Sequence, residues 1–327
     1  MLCLVASIVV IGGITRLTGS GLSMVDWRPI MGILPPITSY QWFEVFSQYQ
    51  QSPEYQQVNM GMSINEFKFI FYWEYIHRIL GRIIGLAAII PYIYFVIKKQ
   101  CPSSLKKTWP FIILLIGAQG LMGWYMVKSG LVNNPNVSHL RLASHLGLAF
   151  TIFALILWQY LTIRFDFKKQ SSPPFQPLLY GVSVAIVIQI MYGAFTAGLN
   201  AGYYFNTYPK MGPFWVPPSI FMFDGFINNL LNNPILVQWV HRWLAALVII
   251  GVISIWQGCK KRTGNFPLQI SGLCLFGVTG LQFILGILTL LTTVWLPLAI
   301  AHQFGGLMLI TCMTLIHYFS RYTELGD

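Results

Sequence analysis

Long apolar windows constrain the fold of this 327-residue chain more than any other feature of its sequence. Each window has roughly 20 residues, which is enough for a helix to cross a hydrocarbon core of about 30 Å. Charged residues make up only 9% of the chain, whereas about 25% is usual in soluble domains. The sequence therefore predicts an all-α integral membrane protein with eight transmembrane helices, at about residues 1–18, 69–97, 109–128, 140–163, 177–199, 235–257, 267–291 and 296–319.

The net charge of +11 comes from basic residues in every second connection between these segments. They follow segments two, four, six and eight, and include Lys98, Lys99, Lys106, Lys107, Arg164, Lys168, Lys169, Lys260, Lys261, Arg262 and Arg321. Because such residues are retained on the cytoplasmic side, we predict that both termini are cytoplasmic and expect no nucleic-acid partner. We interpret the first segment as a retained helix with no transit peptide before it. This interpretation favours a bacterial plasma membrane over the mitochondrial inner membrane.

The two halves of the chain repeat one another. The matched residues are Gly12 and Gly193, His77 and His241, Gln119 and Gln282, Gly123 and Gly286, and His145 and His302. Corresponding segments start on the same side of the membrane, so the repeats are parallel. We therefore predict two four-helix bundles, residues 1–170 and 171–327, related by a pseudo-twofold axis along the membrane normal.

Four histidines lie on apolar segments, each followed one helical turn later by a small residue. They are His77, His145, His241 and His302, with Gly81, Ala149, Ala245 and Gly306 four positions on. An imidazole is costly in hydrocarbon unless something binds it, and two imidazoles can hold a haem iron from opposite faces. The small residues share the histidine face and leave room for the porphyrin edge. We therefore predict two haems, one held by His77 and His145 and the other by His241 and His302.

Other interpretations of these histidines fit less well. A single membrane histidine is often only hydrogen-bonded to a neighbour, but four matched in a repeat argue against that for the set. His139 and His317 have no match in the repeat, and we interpret both as interfacial. An HExxH zinc motif is absent, and Glu74 with His77 gives only one of the Glu-x-x-His copies that a di-iron bundle needs.

Charged residues near the predicted outer helix ends separate the two sites chemically. The arginines are Arg16, Arg78, Arg82, Arg141 and Arg242, which we predict to bind haem propionates, with snorkelling to the surface as the alternative. Glu74 is the one acid inside or bordering a bundle, and Gln238 occupies its place in the second half. We predict that Glu74 takes up a proton or stabilises positive charge at one haem, while pairing with Arg78 or Arg16 is the alternative.

Several motifs resemble the haem A synthase family, along essentially the whole chain. They are Gly-Gly-x-Thr-Arg-Leu-Thr-x-Ser-Gly-Leu-Ser-Met at 12–24, Asp26-Trp27-Arg28-Pro29, and Trp73-Glu74-Tyr75-Ile76-His77-Arg78 with Gly81-Arg82. The likeness is to the branch without a cysteine pair in the first outer loop. It implies an oxidoreductase that oxidises the C8 methyl group of haem O to a formyl group, giving haem A for terminal oxidases.

The resemblance also implies roles for the two halves. The half with Glu74, His77 and His145 takes haem O as substrate, and the half with His241 and His302 keeps haem b as cofactor. A long outer loop at 20–66 covers the substrate site, with Trp27, Trp42 and Tyr55 as candidate packing residues. The implied partners are a haem O-forming farnesyltransferase, an electron-transfer partner and terminal oxidase assembly, and the oligomeric state stays open.

Two other classes compete with this interpretation. A di-haem membrane cytochrome b that exchanges electrons with quinone explains the histidines and the repeat, but gives no task to Glu74 or the first loop. A solute transporter built from two parallel repeats would bind no chromophore. A transporter would bind no haem, and a di-haem cytochrome b would leave its bound haem unchanged. A haem A synthase would change one haem chemically, so these outcomes separate the three classes.

Overall fold

A computed structural model describes residues 1–25, 34–131, 135–165, 167–169 and 171–323. All eight predicted segments are helical in it. In chain order the helices are α1 (Leu2–Leu17), α2 (Ser39–Gln50), α3 (Pro53–Gln57), α4 (Ile64–Ile97), α5 (Leu105–Lys128), α6 (His139–Arg164), α7 (Gln176–Gly198), α8 (Phe226–Asn232), α9 (Pro234–Lys260), α10 (Phe266–Leu291) and α11 (Leu296–Phe319). Two short antiparallel strands, β1 (Lys168–Lys169) and β2 (Tyr322–Thr323), pair beside them.

Seven helices of the described part are long and apolar enough to cross a membrane: α4, α5, α6, α7, α9, α10 and α11. The prediction of a multi-pass, mostly helical membrane protein is therefore confirmed. The remaining segment, α1, is an apolar helix of 16 residues, which is shorter than the roughly 20 residues that a full crossing needs. An eighth span stays a prediction.

Polar caps fix where the site-bearing helices begin. Ser63 and Glu66 form a reciprocal capping box at the start of α4, with the Ser63 nitrogen donating to Oε2 of Glu66 at 2.8 Å. The Asn233 side chain accepts from the nitrogen of Ile235 at 2.9 Å and so caps α9, whose first residue is Pro234. These caps fix the residues at which α4 and α9 begin, and these two helices carry His77 and His241.

Contacts divide the chain into two compact units, residues 1–145 and 146–327. In the first unit α1 packs along α4, and α4 packs against α5. In the second unit α7 packs on α9, α9 on α10, and α10 on α11. The bundle boundary at 170/171 and the twofold relation between bundles stay predictions.

An aromatic cluster joins α2 to the start of α4 in the first unit. Trp42, Phe46 and Tyr49 of α2 are buried against Phe67 and Phe71 at the start of α4. The rings of Trp42 and Phe71 meet edge to face with centroids 5.1 Å apart, a favourable aromatic geometry. This packing fixes the loop to the end of α4 that carries Glu74 and His77.

Candidate functional site

The rings of His241 and His302 face each other inside the second unit. His241 lies on α9 and His302 on α11, and their ring centroids are 6.3 Å apart with planes at 86°. An atom midway lies about 3 Å from each ring centre, which is where a metal sits when imidazole nitrogens bind it at about 2 Å. Nδ1 of His302 is buried and has no hydrogen-bond partner within the described part of the chain. The pair therefore fits two axial ligands on one iron.

The first unit brings His77 of α4 and His145 of α6 within range of each other's charge. Nδ1 of each ring is buried, and among the described residues neither atom has a hydrogen-bond partner. A buried polar atom without a partner is costly and calls for an explanation such as a ligand. The chemistry of the His77–His145 pair therefore also fits an iron held by two imidazoles.

Each of the four rings packs with its Cε1 edge against a glycine on a neighbouring helix. A Cβ atom on that glycine would lie 3.0 Å from Cε1 in the pair Gly12–His77, 3.1 Å in Gly123–His145, 3.1 Å in Gly193–His241 and 2.9 Å in Gly286–His302. Only glycine lets the helices approach this closely without displacing the ring. The small residues predicted to matter lie one turn after each histidine, and this second set of small residues was not predicted as a contact.

Three glutamines one turn before these glycines hold the histidine residues. The Nε2 atoms of Gln119, Gln189 and Gln282 donate to the main-chain carbonyl oxygens of His145, His241 and His302, at 3.0, 2.9 and 2.8 Å respectively. Gln119 and Gln189 also lie 3.3 and 3.1 Å from a ring nitrogen of the same histidine. The repeat analysis matched Gln119 with Gln282 but missed Gln189, which the recurring Gln-x-x-x-Gly spacing signals.

Glu74 is buried, with 3% of its surface exposed, and its carboxylate accepts three hydrogen bonds. The donors are Oγ of Ser23 at 2.6 Å, the main-chain nitrogen of Met24 at 2.8 Å, and the Arg78 guanidinium at 2.5 Å. Arg78 also donates to the Met24 carbonyl oxygen at 3.1 Å. Glu74 and Arg78 therefore pair, and together they attach the first outer loop to α4.

The second unit has a matching attachment without a carboxylate. Gln238 and Arg242 lie on α9 as Glu74 and Arg78 lie on α4, and both donate to the carbonyl oxygen of Phe205, at 3.2 and 2.7 Å. Arg242 also donates to the carbonyl oxygens of Thr207 and Lys210, at 2.6 and 3.3 Å. Each unit thus uses the residue three positions before the histidine and the residue directly after it to hold a connecting segment.

The remaining predicted arginines belong to the first unit. Arg16 lies in the last turn of α1, and Arg82 lies one turn after Arg78 on α4. Arg141 stacks over the Tyr125 ring at 3.7 Å and donates to the Tyr125 carbonyl oxygen at 2.8 Å. His317, which the repeat left unmatched, lies with Nε2 2.8 Å from Oγ of Ser183.

The first outer loop contains a buried polar group that the sequence did not reveal. Nδ2 of Asn59 donates to the Tyr49 hydroxyl at 2.7 Å, and that hydroxyl donates to Oε2 of Glu54 at 3.1 Å. Burial raises the pKa of Glu54 to about 7, and the charge of Glu74 acts in the same direction. Of the predicted packing residues, Trp42 and Tyr55 join the aromatic cluster, and Trp27 lies outside the described residues.

The helices and the paired histidines place this chain among multi-pass membrane proteins that carry histidine pairs on their helices. The family described as cytochrome oxidase assembly protein (COX15-CtaA) matches residues 1–314. The heme A synthase of Nitrosospira multiformis is 42% identical over 325 residues, covering 97% of this chain and 90% of the relative. That of Rhodospirillum centenum is 42% identical over 309 residues, covering 94% and 82%. That of Flavobacterium psychrophilum is 40% identical over 324 residues, covering 97% and 95%. The chain belongs to this family.

Proposed function

We propose that this protein is an oxidoreductase that converts haem O to haem A, by oxidising the C8 methyl group to a formyl group. The observation that carries this conclusion is the separation of His241 and His302, which suits an iron between two imidazoles, in a chain of this family. Haem A then serves terminal oxidases, which agrees with the family's description as an oxidase assembly protein.

The two sites have different tasks. His77 and His145 hold the iron of the substrate haem O, and His241 and His302 hold a haem b that transfers electrons. The chemical support for this division is the residue three positions before the first histidine of each pair. It is Glu74, a buried carboxylate, in the first half and Gln238, an amide, in the second. A carboxylate can accept protons from a reacting substrate, and an amide cannot. The reactive site is therefore the one beside Glu74.

Glu74 supplies the proton acceptor of the reaction. Replacing a methyl group by a formyl group with oxygen from water releases protons and electrons, so the site needs an acceptor for each. The Glu74 carboxylate is held in place by Ser23, Met24 and Arg78, and these donors keep its oxygens oriented. The haem groups supply one-electron redox chemistry, and an electron-transfer partner receives the electrons.

The arginines bind the haem propionates. A guanidinium carries five N–H donors, so a side chain such as Arg141 or Arg242 can keep its main-chain contacts and still bind a carboxylate. The same role is proposed for Arg16, Arg78 and Arg82. The propionates then lie at the outer helix ends, beside the two attached loops.

Water is the source of the formyl oxygen. As long as His77 and His145 both hold the substrate iron during the oxidation, no coordination position would remain for dioxygen, and withdrawal of one histidine would serve only the exchange of substrate and product. We would form haem A in heavy-oxygen water under ordinary dioxygen and then reverse the labels, measuring the mass of the extracted product. Unlabelled haem A kept in the heavy water corrects for exchange of the formyl oxygen. Label arriving from dioxygen would overturn this part of the proposal.

The protein works in a bacterial plasma membrane with both termini in the cytoplasm. The apolar helices suit a multi-pass membrane protein, and the connections rich in lysine and arginine face the cytoplasm. Haem O is lipid-soluble through its farnesyl tail and enters from the bilayer, where the farnesyltransferase that makes it is the upstream partner.

The decisive experiment is extraction and chromatography of haems from membranes that contain this chain and a haem O-forming farnesyltransferase. The proposal expects haem A, and expects its loss in the His77→Ala and His302→Ala variants. Haem b and haem O alone, from a correctly inserted chain with an active farnesyltransferase, would instead favour a di-haem cytochrome that exchanges electrons with quinone.

A further inference from the structure

The four histidines are not held alike, and the difference falls on one ligand of the proposed substrate site. We infer that His77 is the exchangeable axial ligand, and that Gln119, Gln189 and Gln282 are positioning residues that keep the other three histidines in place. This inference rests on the proposed function, because it assigns substrate exchange to the iron held by His77 and His145.

The three glutamines act at the ligand residue itself. Each amide comes from the neighbouring helix and binds the carbonyl oxygen of the histidine, at 2.8 to 3.0 Å. A glycine one turn later on the same helix lies against the ring edge. The histidine is therefore bounded on two sides by one neighbour, and any withdrawal from an iron that moves the main chain of its helix would break the amide hydrogen bond.

His77 has the glycine but not the amide. Its ring packs against Gly12, and the residue one turn before Gly12 on α1 is Ile8. Cδ1 of Ile8 would lie 3.7 Å from a Cβ on Gly81, so this side chain makes apolar contact with α4 one turn after His77. Within the described residues, no hydrogen bond from another helix reaches the carbonyl oxygen of His77.

Among the hydrogen bonds described between α1 and α4, one lies a turn before His77 and is longer than those from the glutamines. Oγ1 of Thr15 is 3.3 Å from the carbonyl oxygen of Trp73, and it also donates to Ile11 of its own helix at 2.8 Å. The stronger of the two contacts is thus the one inside α1. This contact restrains the turn before His77, and no hydrogen bond from another helix of the described ranges reaches the carbonyl oxygen of the ligand residue itself.

The asymmetry suits the different needs of the two haems. A substrate must enter and a product must leave the first site, whereas an electron-transfer cofactor can stay bound. One weakly restrained ligand is enough for exchange, because the other histidine can keep the macrocycle oriented while the first one withdraws. His145, held by Gln119, is the ligand that stays, and His77 is the ligand that opens the site.

The test restores the missing amide with Ile8→Gln and measures haem loss from the purified full-length protein to excess apomyoglobin. The double variant His241→Ala/His302→Ala serves as background, so that the first site is observed alone, with haem b as the probe. We expect Ile8→Gln to slow haem loss by roughly 2- to 10-fold, the effect of one net hydrogen bond. Ile8→Leu is the matched control and should leave the rate unchanged.

Carbon monoxide gives a second readout that a purely structural change would not move. It binds reduced haem iron only where an axial ligand leaves, so the wild-type first site should bind it and Ile8→Gln should bind it more slowly. In the second site, Gln189→Leu should increase both carbon monoxide binding and haem loss. The absorption spectrum of the six-coordinate haem reports whether each variant still binds its ligands.

Four results would overturn the inference, the last of them together with the proposed function. In the first, Ile8→Gln leaves the rates of haem loss and carbon monoxide binding unchanged, while Gln189→Leu changes them. The change in Gln189→Leu shows that the assay is sensitive. Carbon monoxide could bind the second site first in the wild-type protein. If Ile8→Gln does not fold, Gln119→Leu and Gln189→Leu replace it. Unchanged rates of haem loss and carbon monoxide binding in both of these variants would also overturn the inference. A protein whose haem binding depends on none of the four histidines would overturn the proposed function as well.

Discussion

The main-chain nitrogen of Met24 donates a hydrogen bond of 2.8 Å to the carboxylate of Glu74, and so joins the first outer loop to α4 one turn before His77. The corresponding join in the second unit runs from the amide of Gln238 to the carbonyl oxygen of Phe205. An amide is thus sufficient to hold such a loop. We therefore propose that the carboxylate of Glu74 serves proton uptake, a function that an amide cannot replace.

Glu74→Gln separates these two roles. We expect the loop to stay attached and both haems to bind, because an amide can keep contacts with Met24 and Ser23. Haem A formation should fall by about 100-fold or more, the usual contribution of a positioned acid or base. Haem extraction after co-expression with the farnesyltransferase measures the product. Gln238→Glu is the matched control and should keep activity, whereas wild-type haem A yields from Glu74→Gln would leave Glu74 only an anchoring role.

Gly286→Ala tests the contact between glycine and ligand. The added Cβ would lie 2.9 Å from Cε1 of His302, so the ring must shift, and overpacking of this kind costs about 1–3 kcal/mol. Affinity of the second site for haem should fall roughly tenfold, as measured by titration with haem b. Gly280→Ala on the same helix meets nothing within 4 Å and gains the same helix propensity. Equal haem affinity in the two variants would contradict the contact.

Glu54 makes the first outer loop sensitive to pH. Its pKa is raised from 4.5 to about 7, first of all by burial, so the folded loop holds a proton that the unfolded loop has lost. The linked stability is therefore fully present below about pH 4.5 and decreases as the pH rises to about 7, by about 3 kcal/mol in all. Hydrogen exchange of residues 49–59 should be faster at pH 8 than at pH 5.5 after correction for intrinsic rates.

Glu54→Gln stays neutral at every pH, and its amide oxygen can still accept from Tyr49. The pH dependence of exchange should therefore disappear in this variant. Glu44→Gln removes an exposed carboxylate of α2 and should leave the dependence as in the wild type. A dependence that persists in Glu54→Gln would assign it to another group.

Arg242 should hold the connection between α7 and α8 through geometry and not only through charge. Its guanidinium reaches three carbonyl oxygens, of Phe205, Thr207 and Lys210. A lysine ammonium has the charge but not the planar fork, so Arg242→Lys should still expose the loop to limited proteolysis, nearly as much as Arg242→Ala. Protection by lysine equal to that by arginine would show that charge alone is enough.

The helices were predictable because apolar length is written directly in the sequence, and the repeat, which gives each half two histidines, indicated that His241 lies near His302. The contacts around the histidines were not predictable from helix periodicity, because they depend on which face of a neighbouring helix is turned toward the ligand. Gln189 illustrates this limit: its spacing to Gly193 is visible in the sequence, but its contact with His241 requires the packing of α7 on α9.

The contacts of loop residues were harder still to predict from the sequence. Ser23 and Glu54 lie in a long connection whose path is set by aromatic packing on α4 and not by any local period. Pairing of Glu74 with Arg78 or Arg16 was the alternative to its predicted role in proton uptake, and the structure pairs it with Arg78 while adding Ser23 and Met24. Its role in proton uptake stays a proposal.

The glycine that borders each histidine has a consequence for the origin of the protein. The contact occurs four times, between α1 and α4, α5 and α6, α7 and α9, and α10 and α11. Each time, a helix that contributes glycine precedes a helix that contributes one imidazole. The smallest recurring unit is therefore a helical hairpin with a single ligand, half of each proposed iron site. Such a hairpin could hold an iron between two imidazoles only as a dimer, so an ancestral homodimer, fused and then fused again, would account for a chain with four ligands.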